Sequence, residues 1–231
     1  MINRNYSVYT GGRLRMKAFF VSDIHETDPT EILANIKLES PDVIFVGGDL
    51  MEAKKPHLAD KVTGSEEAYR FLFSASQLAP VYYGLGNHET HLSEAKKERA
   101  RLSGAVLLEN AMTEVHTTSG VFTIGAVGPL TNADFLREFD RVNTYKILIC
   151  HEPERAVREL ADVKADLILS GHAHGGQWRF FGRGVYAPGQ GIFPKYTHGL
   201  YGRLLVSSGV ANHVRVPRIN NPPETVTITF L

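Results

Sequence analysis

Two histidines one residue apart, His172 and His174, stand among glycines in the stretch LSGHAHGGQ, directly after an apolar run. Imidazole is a common ligand for transition metals, whereas the residues that favour turns are Gly, Pro, Asn, Asp and Ser. The pattern Gly-His-x-His therefore indicates that a metal ion binds where this apolar run ends.

Four other short blocks carry the same kinds of side chain. They are Asp23-Ile24-His25, Gly48-Asp49, Gly86-Asn87-His88-Glu89 and His151. Their aspartate, asparagine and histidine side chains gain nothing from an apolar core. Mixed nitrogen and oxygen ligands suit Mn, Fe, Zn, Co or Ni better than Ca or Mg alone. With His172 and His174 the candidates exceed the four ligands of a tetrahedral zinc site, and they suffice for two ions if one carboxylate bridges them.

Each block follows an apolar run that is typical of a buried strand. The predicted strands before the blocks cover residues 17–22, 42–46, 80–83, 146–150 and 166–169. Predicted helices cover residues 28–39, 65–78, 93–102, 132–139 and 154–160. Ligands of an open α/β sheet bind outside the carboxyl ends of its strands. We therefore expect the five strands to share one sheet and to bring the blocks to one edge.

The chain is predicted to form one α/β domain over residues 1–231, although its length also permits two small domains. Residues 1–15 form a lead-in segment with room for a short strand. Residues 23–174 hold the candidate metal motifs, and residues 176–231 are rich in short strand patterns separated by glycines and prolines.

The charge balance and the composition limit the partners and the compartment that we expect for this chain. Lys and Arg number 25, as do Asp and Glu, so the formal net charge is zero and no overall field attracts nucleic acid or acidic lipid. We therefore expect no nucleic-acid partner. Cys150 is the single cysteine, and residues 1–17 lack the apolar region of a signal peptide. Because no apolar run is long enough to span a bilayer either, the expected compartment is the cytoplasm.

In order and in type, the five blocks resemble the signature of the calcineurin-like metallophosphoesterases. That signature reads Asp-x-His, Gly-Asp, Gly-Asn-His-Glu/Asp, a lone His and Gly-His-x-His, and all five parts occur here between Asp23 and His174. The resemblance implies a four-layer α/β/β/α sandwich, the metallo-dependent phosphatase fold, with a two-metal centre at the sheet edge.

The resemblance also implies a role for each side chain. The implied ligands are Asp23, His25 and His174 for one metal, Asn87, His151 and His172 for the other, and Asp49 as the bridge between them. His88 would face the substrate and protonate the leaving alkoxide as the general acid, so His88 and Asp49 are the candidate catalytic residues. The implied reaction is in-line attack on phosphorus by a metal-bridging hydroxide, with two ions of Mn, Fe, Zn, Ni or Co and manganese favoured.

After His174 the chain is similar to a bacterial branch of phosphodiesterases. The shared pieces are Gly175-Gly176-Gln177, Gly199-Leu200-Tyr201 and Ser207-Ser208-Gly209. Several members of that branch begin with a membrane segment, and some act on lipid-linked phosphodiesters. The implied substrate is a small-molecule or lipid-linked phosphoester, with a diester favoured over a monoester.

Two other functions stay open. A metal-dependent nuclease would use the same centre and would need a basic, aromatic-lined groove, which the few Arg and Lys residues near the motifs disfavour. A non-catalytic scaffold of the same fold would lack ligands or the general acid, whereas here all of them are present.

Some residues near the motifs allow two interpretations. Glu89 and Glu152 either orient ligand histidines or cap the next helix. The aromatic side chains after Gly176 either form a platform for a base or an acyl chain or pack between the sheet and the loops. These aromatic residues are Trp178, Phe180, Phe181, Tyr186 and Phe193. Histidines in polar or loop contexts are expected at the surface, and they are His57, His116 and His213.

Overall fold

Two six-stranded sheets face each other at the centre of the computed structural model, which describes residues 1–55, 57, 65–212 and 216–231. The first sheet has the order β1 (Ile2–Val8), β16 (Glu224–Phe230), β2 (Met16–Val21), β3 (Val43–Val46), β4 (Val81–Gly84) and β5 (Ala105–Leu108). Strands β2 to β5 are parallel, and β16 runs antiparallel to β2. The predicted surface position of His213 lies outside the described residues, whereas His57 and His116 are exposed as predicted.

The second sheet repeats this plan. Its order is β14 (Gly199–Tyr201), β15 (Leu204–Val206), β9 (Leu167–Ser170), β8 (Tyr145–Ile149), β7 (Gly120–Ala126) and β6 (Ala111–Thr117). Strands β15, β9, β8 and β7 are parallel, and the edge strands β14 and β6 are antiparallel to their neighbours. Strand β3 reads VIFV because both of its faces are buried, as is usual for a parallel strand.

Helices cover the outer face of each sheet. Helices α1 (Thr30–Glu39), α2 (Ser65–Ser76) and α3 (Glu94–Leu102) pack on the first sheet, and α4 (Ala133–Arg141) and α5 (Pro153–Arg158) pack on the second. Three apolar layers result, one between the sheets and one under each set of helices. The middle layer contains Phe20, Phe45 and Phe122, and burial of each such side chain contributes roughly 1.5–3 kcal/mol. The expected four-layer α/β/β/α fold is confirmed.

The expectation that all five motif strands share one sheet is wrong. Strands β2, β3 and β4 belong to the first sheet, and β8 and β9 belong to the second. An apolar run shows that a strand is buried but does not show which of two facing sheets contains it. The carboxyl ends of both sheets nevertheless meet at one edge. Nε2 of His151, which follows β8, lies 3.0 Å from Oδ2 of Asp49, which follows β3.

Two segments differ in detail from the sequence predictions. The lead-in segment contains a full strand, since β1 pairs in parallel with β16 along its whole length. The first helix begins at Thr30 and not at residue 28, and the carboxylate of Asp28 accepts a hydrogen bond from the backbone N–H of Thr30. Among the helices of the described residues, none has the length and apolar composition that a bilayer crossing requires.

Two small hairpins follow the last motif. The first pairs β10 (Arg179–Phe180) with β11 (Arg183–Gly184), and the second pairs β12 (Tyr186–Ala187) with β13 (Gly191–Ile192). The aromatic residues predicted to form a platform or to pack internally are mostly on the surface of these hairpins, and Phe181 is fully exposed.

Candidate metal centre

The loops that follow β2 and β3 are hydrogen-bonded to each other. The backbone N–H of Asp23 donates to the carbonyl of Gly48 at 3.0 Å, and that of His25 donates to the carbonyl of Asp49 at 2.9 Å. These bonds fix three candidate side chains, those of Asp23, His25 and Asp49, relative to one another before any ligand binds.

An uncommon backbone conformation recurs through the centre. The φ angle lies between 43° and 64° at five candidate residues, Asp23, His25, Asp49, His172 and His174. Residues other than glycine seldom adopt positive φ, and such positions cluster at functional sites because surrounding contacts must hold them in place. Contacts between the loops therefore hold these five residues in a backbone conformation that they disfavour locally, and their side chains point into one centre.

Two glycines leave room for the carboxylates. A Cβ atom on Gly86 would lie 2.2 Å from Oδ1 of Asp49, and a Cβ atom on Gly171 would lie 2.4 Å from Oδ2 of Asp23. Both distances are far inside van der Waals contact, so any larger residue would displace a candidate ligand. Glycine is thus required at both positions because a carboxylate oxygen lies so close to the backbone there.

One group of candidate ligands consists of Asp23, His25 and His174. One ligand atom from each side chain lies within 4.8 Å of the others, and Nε2 of His174 is 3.6 Å from Oδ1 of Asp23. The imidazole rings of His25 and His174 stack with their centroids 5.5 Å apart. Asp23 is fully buried and is held by the hydroxyl of Ser22 and the backbone N–H of His172. These are the three side chains that the resemblance assigns to the first metal.

A second group consists of Asp49, His151 and His172. The other ring nitrogen of His151, Nδ1, lies 2.6 Å from the carbonyl of Gly47, which directs Nε2 toward Asp49. Such a bond through the second nitrogen is the usual way in which a protein orients a histidine ligand. The rings of His151 and His172 meet edge to face, with centroids 5.3 Å apart.

The hydrogen bonding of the buried polar atoms tests whether the candidate residues fit a metal ion. Oδ1 of Asn87 is buried and has no hydrogen-bond partner within the described part of the chain, and the buried atoms Oδ2 of Asp49 and Nε2 of His151 have no hydrogen bond there apart from their mutual ion pair at 3.0 Å. Buried polar atoms are nearly always hydrogen-bonded, so an unpartnered amide oxygen beside this ion pair indicates a ligand that completes the centre. A cation satisfies all three atoms once the proton on His151 has left, because each atom then offers a lone pair. The donor set therefore fits metal ions.

Asn87 and His88 lie in a 3₁₀ turn over Asn87–Glu89, directly after β4. The backbone N–H of His88 donates to Oδ1 of Asp49 at 2.8 Å, so the same turn positions both the asparagine and the bridging candidate. Nε2 of His88 lies 4.0 Å from Oδ2 of Asp49. All eight predicted residues thus belong to the loops at this edge.

Glu52 was not among the residues predicted from the sequence. Its Oε1 is 2.6 Å from Nδ1 of His25, and its Oε2 is 2.8 Å from Nδ1 of His88. The only sequence signal was its position three residues after Asp49, where a carboxylate has no characteristic spacing.

Arg218 was also missed. Its Nη2 lies 3.4 Å from Nδ1 of His174, and its guanidinium donates to the carbonyls of Gly209 and Ala211. A separation of 44 residues from His174 leaves no local pattern from which this contact is predicted.

Among the described residues Glu89 makes no hydrogen bond to a histidine, which corrects one of its two interpretations. Its buried carboxylate accepts hydrogen bonds from the backbone N–H groups of Asp49, Leu50, Met51 and Gly86 and from the hydroxyl of Tyr83. It therefore joins the loop after β3 to the loop after β4. Burial and the nearby charge of Asp49 raise the pKa of Glu89.

Glu152 accepts a hydrogen bond from Nη1 of Arg155 at 2.9 Å and lies in one group with Glu154 and His172. Although it occupies the N-cap position of α5, its side chain makes no capping hydrogen bond within the described residues.

The pKa values of neighbouring histidines in the centre are shifted in opposite directions. Burial alone would lower the pKa of His151, but the carboxylates of Asp49 and Asp23 raise it to about 10. Burial and the neighbouring His151 lower the pKa of His172 to about 3, and burial lowers that of His174 to about 4 despite Asp23. Although burial opposes it, the charge of His151 holds the pKa of Asp49 well below its usual range.

Comparisons with known proteins place the chain among the phosphoesterases. The model of the calcineurin-like phosphoesterase family matches residues 16–176. YpbG of Bacillus subtilis is 28% identical over 228 residues, which cover 95% of this chain and 82% of YpbG. YaeI of Escherichia coli, named a phosphodiesterase, is 24% identical over 190 residues, which cover 78% of this chain and 68% of YaeI.

Two further relatives are longer than this chain. The metallophosphoesterase Cj0846 of Campylobacter jejuni is 28% identical over 234 residues, and the match covers 90% of this chain and 55% of Cj0846. The solved structure of the NAD nucleotidase of Haemophilus influenzae shares the fold with a TM-score of 0.53 and 12% identity. That match covers 94% of this chain and 45% of the nucleotidase.

Proposed function

We propose that this chain, which belongs to the calcineurin-like phosphoesterase family, hydrolyses phosphodiesters in preference to phosphomonoesters. Family membership and the candidate ligand groups make the chain a metal-dependent hydrolase of phosphoesters. The preference for diesters is supported by the similarity to YaeI, which is named a phosphodiesterase.

The observation that carries the proposal is the convergence of side chains on Oδ2 of Asp49. This buried oxygen lies 3.0 Å from Nε2 of His151 and 3.8 Å from Nε2 of His25, and those two histidines come from different sheets. A carboxylate between two groups of ligands is suited to bridge two ions. We assign one ion to Asp23, His25 and His174, the other to Asn87, His151 and His172, and both to Asp49.

Two transition-metal ions bound by these residues, manganese in our proposal, would supply Lewis acidity for the phosphoryl group and hydroxide near neutral pH. The protein contributes rigid ligands, since Asp23 is held by Ser22 and His151 by the carbonyl of Gly47. It also contributes Asn87, whose amide oxygen carries no charge and so leaves the centre electrophilic.

We assign the general acid to His88. With Nδ1 bound to Glu52, the ring presents Nε2 toward Asp49, on the side where the substrate phosphate would lie. A proton held on Nε2 passes to the leaving alkoxide oxygen as the phosphorus–oxygen bond breaks. An imidazole suits this task because its ordinary pKa lies close to neutral pH.

The test is hydrolysis of bis-p-nitrophenyl phosphate and of p-nitrophenyl phosphate by the metal-loaded protein, with a chelated sample for comparison. We expect metal-dependent turnover with a higher kcat/KM for the diester. Asp49→Asn should abolish it and lower the metal content, whereas Asp162→Asn, at an exposed position, should match the wild type. A higher kcat/KM for the monoester would refute the diester preference, and turnover of DNA or RNA instead of both esters would favour the nuclease alternative.

A further inference from the structure

A cavity of about 320 Å³ adjoins the metal centre. His174 lines it from the side of the centre, together with Ala173, which lies between the two histidines of the last motif. A substrate whose phosphate contacts the ions therefore has one of its ester groups within reach of this cavity.

The walls of the cavity are apolar. Trp178, Val185, Tyr186, Pro188 and Val216 line it, and they come from the segment after the last motif and from the loop before β16. None of these five side chains carries a charge, so the cavity is lined mainly by apolar atoms. Apolar surface of this kind is stabilised when hydrocarbon displaces water from it.

Two of the polar groups at the rim, the side-chain NH₂ of Gln177 and the indole N–H of Trp178, already donate to the protein. The side-chain amide of Gln177 donates to Oδ1 of Asn212 and to the carbonyl of Val216. The indole N–H of Trp178 donates to the carbonyl of Pro217 at 2.9 Å. A nucleobase in this cavity would thus bring hydrogen-bonding groups to side chains whose donors are occupied, and unpaired polar groups cost binding energy.

We infer that the cavity binds the hydrocarbon ester group of the substrate, so that the preferred phosphoester carries an alkyl group rather than a nucleoside. The inference rests on the proposed function, because it takes the phosphate to lie at the metal centre. A cavity of roughly 150 Å³ holds benzene, so this one has room for about twelve carbon atoms. A hexyl group therefore fits with space to spare.

Trp178 is the single tryptophan of the chain, so its fluorescence reports directly on the cavity. The zinc-loaded protein is titrated with hexylphosphonate and with methylphosphonate, whose carbon–phosphorus bonds leave no ester to hydrolyse. Each fully buried methylene strengthens binding about fourfold. Because the cavity is open to solvent on one side, we expect hexylphosphonate to bind at least about tenfold more tightly and to shift the tryptophan emission.

The second measurement is the kcat/KM of the manganese-loaded protein for p-nitrophenyl esters of hexyl phosphate, methyl phosphate and thymidine 5′-phosphate. We expect the hexyl ester to exceed both others by about tenfold or more. Tyr186→Ser, in the cavity wall, should reduce this preference severalfold. Phe181→Ser should leave it unchanged, because Phe181 is fully exposed and does not line the cavity.

The outcomes separate the two proposals. If the hexyl and methyl esters are hydrolysed with equal kcat/KM and the two phosphonates bind alike, the inference about the cavity is wrong and the proposed function stands. A higher kcat/KM for the thymidine ester would overturn it in the same way. If no ester, including bis-p-nitrophenyl phosphate, is hydrolysed with any metal, the proposed function itself is wrong.

Discussion

His25 and His88 are held together by one carboxylate. Their rings meet edge to face with centroids 4.7 Å apart, and the Nδ1 atoms contact the two different oxygens of Glu52 at 2.6 and 2.8 Å. The proposed metal ligand and the proposed general acid therefore share an orienting group.

Glu52→Gln should impair both histidines at once. Glutamine keeps the shape but has one oxygen, so at most one Nδ1–H retains its acceptor. Loss of an orienting partner typically costs 10- to 100-fold in metal affinity or activity, and we expect a loss of about that size in both. Metal content by elemental analysis and kcat/KM on bis-p-nitrophenyl phosphate measure the two effects. Glu67→Gln, on the exposed face of α2, is the matched control, and equal behaviour of the two variants would contradict the assigned role.

The proposed metal ligands could be named from the sequence because each follows a strand end in a short motif. Which sheet holds each strand was not predictable, because facing sheets bury the same apolar residues. The positive φ angles at Asp23 and His172 were also hidden, since they follow from contacts between loops and not from local preference. Glu52 and Arg218 carry no motif of their own, and only the folded chain brings them to His25 and His174.

His88→Asn should lower kcat while both metals stay bound. General acids typically contribute 10²- to 10⁴-fold, and the contribution grows with the basicity of the leaving group. We therefore expect a large loss with an alkyl leaving group and a much smaller one with p-nitrophenolate, which leaves without a proton. The check is kcat for both kinds of diester together with metal content.

His116→Asn serves as the control for that variant, because the His116 side chain is 73% exposed on β6. An equal loss with both leaving groups would remove His88 from the role of acid. Loss of metal from His88→Asn would instead make His88 a ligand.

Gly86→Ala should displace the proposed bridging carboxylate. The new Cβ would lie 2.2 Å from Oδ1 of Asp49 and 2.6 Å from its backbone nitrogen, and a backbone atom cannot rotate away. We expect lost metal binding and a clearly lower melting temperature of the metal-free protein. Gly182→Ala is the control, because its Cβ would meet nothing within 4 Å and its positive φ costs only about 1–2 kcal/mol. Retention of full metal content by Gly86→Ala would show that the loop adjusts and that the close approach is not required.

The metal-free centre should hold a proton on His151 well above neutral pH. Burial opposes this charge, but Asp49 and Asp23 raise the pKa of His151 to about 10, while His172 and His174 have values of about 3 and 4. Imidazole nitrogen shifts in the ¹⁵N NMR spectrum should therefore show a cationic ring for His151 and neutral rings for His172 and His174 at pH 7, with assignments from His→Gln variants.

This pattern fixes the sign of the pH dependence of metal binding. A metal at Nε2 of His151 must displace a proton wherever the pH lies below about 10, so the affinity for the ion assigned to His151 should increase with pH, by up to about tenfold per unit from this proton. The neutral rings of His172 and His174 add nothing to this slope above pH 5. Dissociation constants for zinc measured from pH 6.5 to 8.5 test the slope. A neutral His151 ring at pH 7, or an affinity that does not change with pH, would show that the two aspartates do not stabilise the imidazolium.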